Sequence, residues 1–166
     1  GAAKRPEAQM EAELSSMKRR LILSFLFLIP LFYISMGHMM GAPLPAFLVG
    51  HENAISFAFT QLLLTLPILY INDKYYKNGF RSLLHGGPNM DSLIAVGSIA
   101  AVIYGVFAIY QIGYGLGHGD MARVEQYHMD LYFESAGMIL TLITLGKFLE
   151  TRSKGKTSQA ISRLMD

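Results

Sequence analysis

Four stretches of the chain are apolar almost without a break: Leu21 to Gly37, Ala54 to Ile71, Leu93 to Tyr114 and Leu131 to Phe148. Each holds roughly 17 to 22 residues, close to the ~20 that a helix needs to cross about 30 Å of hydrocarbon at about 1.5 Å per residue. A buried helix of a soluble bundle keeps a polar stripe, whereas Leu21 to Met36 has only Ser24, Pro30 and Ser35 to offer. The pattern predicts an all-α membrane protein with four transmembrane helices.

The polar segments between these runs predict the rest. Residues up to Ser16 are Ala/Glu-rich and read as a tail, with Ser15 and Ser16 as caps for the helix that follows. Pro30 lies mid-span and is expected to kink it. Gly41, Pro43, Pro45 and Gly50 make the first loop turn-rich. Between the second and third runs, Lys74, Lys77 and Arg81 share one helical face while Tyr76, Phe80, Leu83 and Leu84 lie on another. That is the pattern of a short amphipathic helix resting on a membrane surface. Gly79 weakens this helix, and Gly86-Gly87-Pro88 ends it. Asn89 then caps the third span, with Asp91 favoured by the dipole in its first turn. Gly97, Gly105, Ala100 and Ala101 give that span small residues for close helix packing.

Composition agrees: 52% hydrophobic and 16% charged residues are too apolar a mixture for an ordinary soluble domain. The charges add orientation. Lys4, Arg5, Lys18, Arg19 and Arg20 precede span one; Lys74, Lys77 and Arg81 lie between spans two and three; Lys147, Arg152, Lys154, Lys156 and Arg163 end span four or follow it. The loop Gly37 to Asn53 has no Lys or Arg, and Gly115 to Asp130 has only Arg123. Basic residues collect on the cytoplasmic side, so a multi-pass cell-membrane protein with both termini in the cytoplasm is expected. The net charge of +2 is spread along membrane edges, which gives no support to nucleic-acid binding. No secretory signal is read at the start, because a polar segment precedes the first apolar run.

With no cysteine, soft-metal chemistry has to use Met, His or carboxylate. Ionisable groups within a span are costly and point to a paired or functional site. Glu134 lies near the outer end of span four, and Lys147 and Glu150 near its inner end, so the two carboxylates mark opposite membrane faces about 24 Å apart. Glu150 has a plain alternative use, pairing with Lys154 one turn on, and Lys147 is expected to extend its ammonium to water. Met90 stands at the inner start of span three; a thioether suits Cu(I), and a carboxylate beside it would bind the ion weakly enough to pass it on. Helix packing is the ordinary use of such a Met. Met36, His38, Met39 and Met40, with Met121, His128 and Met129, are either plain loop side chains or an outer Met/His group that collects or releases copper.

Asn89-Met90-Asp91-Ser92-Leu93-Ile94-Ala95, then Tyr132-Phe133-Glu134-Ser135-Ala136, Leu145-Gly146-Lys147-Phe148-Leu149-Glu150 and Lys154-Gly155-Lys156-Thr157 follow in order along the second half of the chain. This series resembles a heavy-metal P-type ATPase of the copper-exporting class. The resemblance implies an N-terminal membrane portion of an ATP-driven Cu(I) exporter, in which phosphorylation of an aspartate drives alternating inward and outward states. It implies that Met90 and Glu150 form the cytoplasmic intake site and that Glu134 acts at release. It makes Lys74, Lys77 and Arg81 a platform for a copper chaperone or a metal-binding domain, or equally for anionic lipid.

The expected division is a cytoplasmic tail over 1–16, the two class-specific spans over 17–73, the platform and turn over 74–88, the first two helices of the pump core over 89–158, and over 159–166 the start of a linker to an actuator domain. Many members kink the second span at a Gly-Gly pair; the corresponding place reads Ile71-Asn72, leaving Pro67 or Asn72 to break the helix. Thr-Gly-Glu, Cys-Pro-Cys and Asp-Lys-Thr-Gly do not occur in the 166 residues. ATP and Mg are therefore expected only in the full-length protein, with its remaining core helices and its actuator, phosphorylation and nucleotide domains as partners beside the lipid bilayer. The alternatives are the same portion of a zinc or cadmium pump, or a self-contained four-helix membrane scaffold or channel.

Overall fold

The computed structural model describes residues Lys4 to Met165, leaving Gly1 to Ala3 and Asp166 outside the described residues. Six α-helices follow one another: α1 (Lys4–Met40), α2 (Ala54–Ile71), α3 (Lys74–Leu84), α4 (Met90–His118), α5 (Met121–His128) and α6 (Phe133–Met165), with 3-10 turns at Ala46–Leu48 and His51–Asn53. Four of these segments are long and apolar enough to cross a membrane, and no strand occurs among the described residues.

Helices α2 and α6 touch each other and both remaining spans, so α1 and α4 flank a central α2/α6 pair. The core is built from Leu28 and Leu31 of α1, Phe57 and Ile68 of α2, Val102 and Ile112 of α4, and Phe133 and Leu140 of α6. Ile22, Leu26, Leu63, Leu93, Ile103 and Leu142 face outward, as lipid-facing residues must where the solvent is as apolar as the core. Between spans in lipid, close packing and buried polar bonds hold helices together rather than the hydrophobic effect. Gly105 of α4 shows this: a Cβ there would fall 2.3 Å from the Phe133 ring. Gly97 and Ala100, expected to share such a packing face, are exposed instead.

The polar lead-in is helical. Helix α1 starts at Lys4 and passes through Ser15, Ser16 and Pro30, so the two serines do not cap it. With 37 residues α1 is ~55 Å long at about 1.5 Å per residue, well beyond the ~30 Å of hydrocarbon. Its first turns pack on the equally overlong end of α6, where Met10 lies against Gly155. These overhanging ends form the terminal end of the bundle; α5 and the two 3-10 turns form the opposite, loop end.

Asn89 caps α4 as the spacing predicts. Its side chain accepts from Ser92 N–H at 3.0 Å, and Ser92 Oγ accepts from Asn89 N–H at 3.2 Å, a reciprocal capping box. The second loop contains α5, capped by the Asp120 side chain accepting from Arg123 N–H at 3.3 Å.

Candidate functional site

Helix α2 stops at Ile71 and α3 starts at Lys74, so the chain turns at Asn72 and Asp73. Asn72 is fully buried there and ties three spans together. Its amide donates to Ser24 Oγ of α1 and to the Ile68 carbonyl, both at 2.9 Å, and its side-chain oxygen accepts from Thr144 Oγ1 of α6 at 2.8 Å. The Tyr75 hydroxyl reaches the same Thr144 Oγ1 at 2.8 Å. Thr144 has one proton, directed to Asn72 or the Leu140 carbonyl, so Tyr75 is the donor to it. The break expected at Pro67 or Asn72 thus falls at Asn72, whose backbone N–H and side-chain amide both donate to the Ile68 carbonyl.

Helix α3 lies across the start of α4. Gly79 is buried with its Cα on the Asp91 backbone, where a Cβ would lie 2.4 Å from the Asp91 carbonyl oxygen. Ser92 Oγ donates to the Gly79 carbonyl at 2.6 Å, and Tyr76 shares a 2.7 Å hydrogen bond with Ser98. Gly79 is therefore a contact point rather than a weak spot. Of the platform cations, Lys77 pairs with Asp73 at 2.9 Å, and Arg81 is exposed. Burial, then the charges of Arg20 and Lys147, pull the Lys74 ammonium below its ordinary pKa. Leu83 and Leu84 stay exposed on the apolar side.

The three proposed metal residues are placed differently. Met90 is the first residue of α4 and is 62% exposed. Glu150 is exposed and pairs with Lys154 at 2.9 Å. Met90 and Glu150 share neither a hydrogen bond nor a cavity. What lies between them in sequence terms is an ion pair: Lys147 Nζ holds Asp91 Oδ1 at 2.9 Å and sits 4.7 Å from the Tyr75 ring centroid. Met90 adjoins Asp91, and Glu150 is one turn beyond Lys147. Lys147 therefore bridges α4 and α6 instead of reaching freely into water.

Glu134 is at the loop end, 7% exposed, in the first turn of α6. It lines a cavity of about 50 Å³ with Ser35, Met36, His38, Gln61 and His128. Glu134 Oε2, His128 Nε2 and both amide atoms of Gln61 are buried and have no hydrogen-bond partner among the described residues. Groups so placed ordinarily find partners, which marks this pocket as built for something polar. His38 and His128 were visible as loop residues. Gln61 and His51 were not singled out, although an amide inside an apolar run is itself a signal.

Side-chain contacts tie down the loops at this end of the bundle. Tyr33 Oη donates to the Pro43 carbonyl at 2.6 Å, and Asn53 Nδ2 donates to the Ala46 and Val49 carbonyls at 3.2 and 2.8 Å. Tyr104 hydrogen-bonds Asp130. Arg123 pairs with Asp120 at 3.3 Å and lies over the Tyr114 ring at 4.6 Å.

No protein-family model and no solved structure matches the chain. Curated proteins do. The chain is 32% identical over 166 residues to a copper-exporting P-type ATPase of Staphylococcus epidermidis, with 99% of the chain and 19% of the relative aligned. It is 36% identical over 170 residues to copper-transporting ATPase 1 of Rhizobium meliloti, again at 99% and 19%. A probable copper-importing P-type ATPase A of Enterococcus hirae is 35% identical over 161 residues, covering 95% of the chain and 19% of the relative. The chain therefore matches copper-transporting P-type ATPases over nearly all of its length and spans about a fifth of theirs.

Proposed function

We propose that the chain is the copper-receiving membrane portion of an ATP-driven Cu(I) exporter of the P-type class, with its terminal end in the cytoplasm and its loop end outside. Met90 and Glu150 take up the ion at the cytoplasmic face, and Glu134 receives it near the outer face before release. The observation that carries this reading is the Asp91–Lys147 ion pair, which links the start of α4 to α6 beside both intake residues. The pair also keeps Lys147 from competing with the metal for Glu150, whose own partner is the exposed and readily displaced Lys154.

The chemistry fits a transit site. A thioether and a carboxylate from two helices bind Cu(I) loosely, because only one of the two is a soft ligand. The ATP and Mg that drive transport act through the remaining pump domains, in which an aspartate is phosphorylated. The cation-bearing side of α3 supports docking of a copper chaperone or metal-binding domain through Lys74 and Arg81, since Lys77 is already paired with Asp73. Exposed Leu83 and Leu84 support contact of the other side with lipid.

The test is Cu(I)-stimulated ATP hydrolysis by the full-length protein in lipid, comparing the wild type with Met90→Ala, Glu150→Ala and Glu134→Ala. Loss of stimulation in the first two, with correctly folded protein, is the expected result. An unchanged copper response in both removes the intake site from this place. The names of the relatives include both exporting and importing pumps, so direction is read separately, from copper accumulation in vesicles of known orientation.

A further inference from the structure

We propose that His38, His51 and His128 form a second, outward-facing metal site that takes Cu(I) from Glu134. This rests on the preceding reading for the identity of the ion, but the geometry stands on its own. The three imidazoles come from α1, the 3-10 turn after Gly50, and α5, segments far apart in sequence. His128 is 2% exposed, and its ring centroid lies 5.1 Å from that of His38 and 5.3 Å from that of His51. His128 Nδ1 and His51 Nδ1 face each other at 3.4 Å.

That separation suits a shared metal. Two imidazole nitrogens each about 2.0–2.1 Å from one ion, at a trigonal or tetrahedral angle, stand roughly 3.3–3.6 Å apart. No three His, Asp or Glu groups among the described residues already close on one point. Two ligands are therefore preset, and His38, beside the same buried ring, completes the site by turning its own. The thioethers of Met36, Met39 and Met129 line the cavity below. Imidazole and thioether are both ligands of copper, and neither carries the charge that would favour a hard cation such as Mg.

A direct His–His hydrogen bond explains the 3.4 Å contact alone. It leaves the buried Nε2 of His128, Gln61 and Glu134 Oε2 without partners around the same cavity. A path on which an ion moves from a carboxylate to imidazoles explains both. His51, being exposed, then opens the site to the outside.

The experiment is Cu(I) binding to the full-length protein in lipid nanodiscs under reducing conditions, by competition with a chromogenic chelator, together with X-ray absorption at the copper edge. His51→Ala is expected to lose one Cu(I) equivalent and the outer-shell scattering of imidazole, while Met90→Ala and Glu150→Ala keep the imidazole scattering. His128→Ala is expected to do the same as His51→Ala; because His128 is buried and its loss also disturbs packing, the exposed His51 variant decides. Unchanged stoichiometry and imidazole scattering in His51→Ala overturn the outer site while leaving the intake reading intact. A wild type that binds no copper at any of these residues overturns both.

Discussion

Gly79 and Asp91 meet backbone to backbone: a Cβ on Gly79 would lie 2.4 Å from the Asp91 carbonyl oxygen, a separation that side-chain carbons do not adopt. In an open helix, replacing Gly by Ala gains roughly 0.5–1 kcal/mol from propensity. Here overpacking against a rigid backbone costs about 1–3 kcal/mol and outweighs it. Gly79→Ala is expected to lower the unfolding temperature in detergent and, by moving Met90 with the start of α4, to raise the copper concentration for half-maximal stimulation. A more stable protein would show that α3 sits loosely on α4.

Gly105 and Phe133 make the same kind of contact in mid-membrane. Gly105→Ala is expected to destabilise by about 1–3 kcal/mol. Trimming the ring with Phe133→Leu in the same chain should return part of that loss, because the two residues share one space. A double-mutant cycle by thermal unfolding measures the coupling, and strictly additive effects would contradict the contact.

Asn72→Leu removes an amide that serves Ser24, Ile68 and Thr144 together. Buried polar contacts between membrane helices average about 0.6 kcal/mol, rising when a group is left without any partner. A loss of about 1–2 kcal/mol is expected for Asn72→Leu, which strands the Ser24 hydroxyl. Tyr75→Phe should cost less, since Thr144 keeps its other partners. Proteolysis at the α2–α3 turn offers a second readout: the leucine variant should be cut faster.

Lys147→Met breaks the pair with Asp91. Because Lys147 is about one-third exposed (35%), the stability change is expected to stay under ~1 kcal/mol. Copper intake should respond more, since Asp91 adjoins Met90 and an unpaired carboxylate would hold the ion there. Slower turnover at unchanged or tighter copper binding is the expected signature. Identical turnover and affinity would mean that the pair is only a brace.

The membrane spans were legible because their cause is local. A run of ~20 apolar residues crosses lipid whatever its neighbours are, and the capping role of Asn89 depends only on the few residues after it. Helix α5 and the helical lead-in of α1 were harder to read, since polar residues with good helix propensity are equally at home in a loop until a neighbouring element supports them. Gly79 carried a misleading signal: propensity marks it as a weakness, whereas its missing side chain lets two helices touch.

Four apolar spans, their separation by basic segments and the helix start at Asn89 all follow from the order of residues, because hydrophobic length and capping act over a turn or two of chain. Which polar groups meet does not. Asn72 reaches Ser24 and Thr144, Lys147 finds Asp91 rather than water, and His51 faces His128 across 77 positions of sequence. Those pairings depend on how the helices pack around α2 and α6, and only the assembled bundle decides which polar groups come within reach of one another.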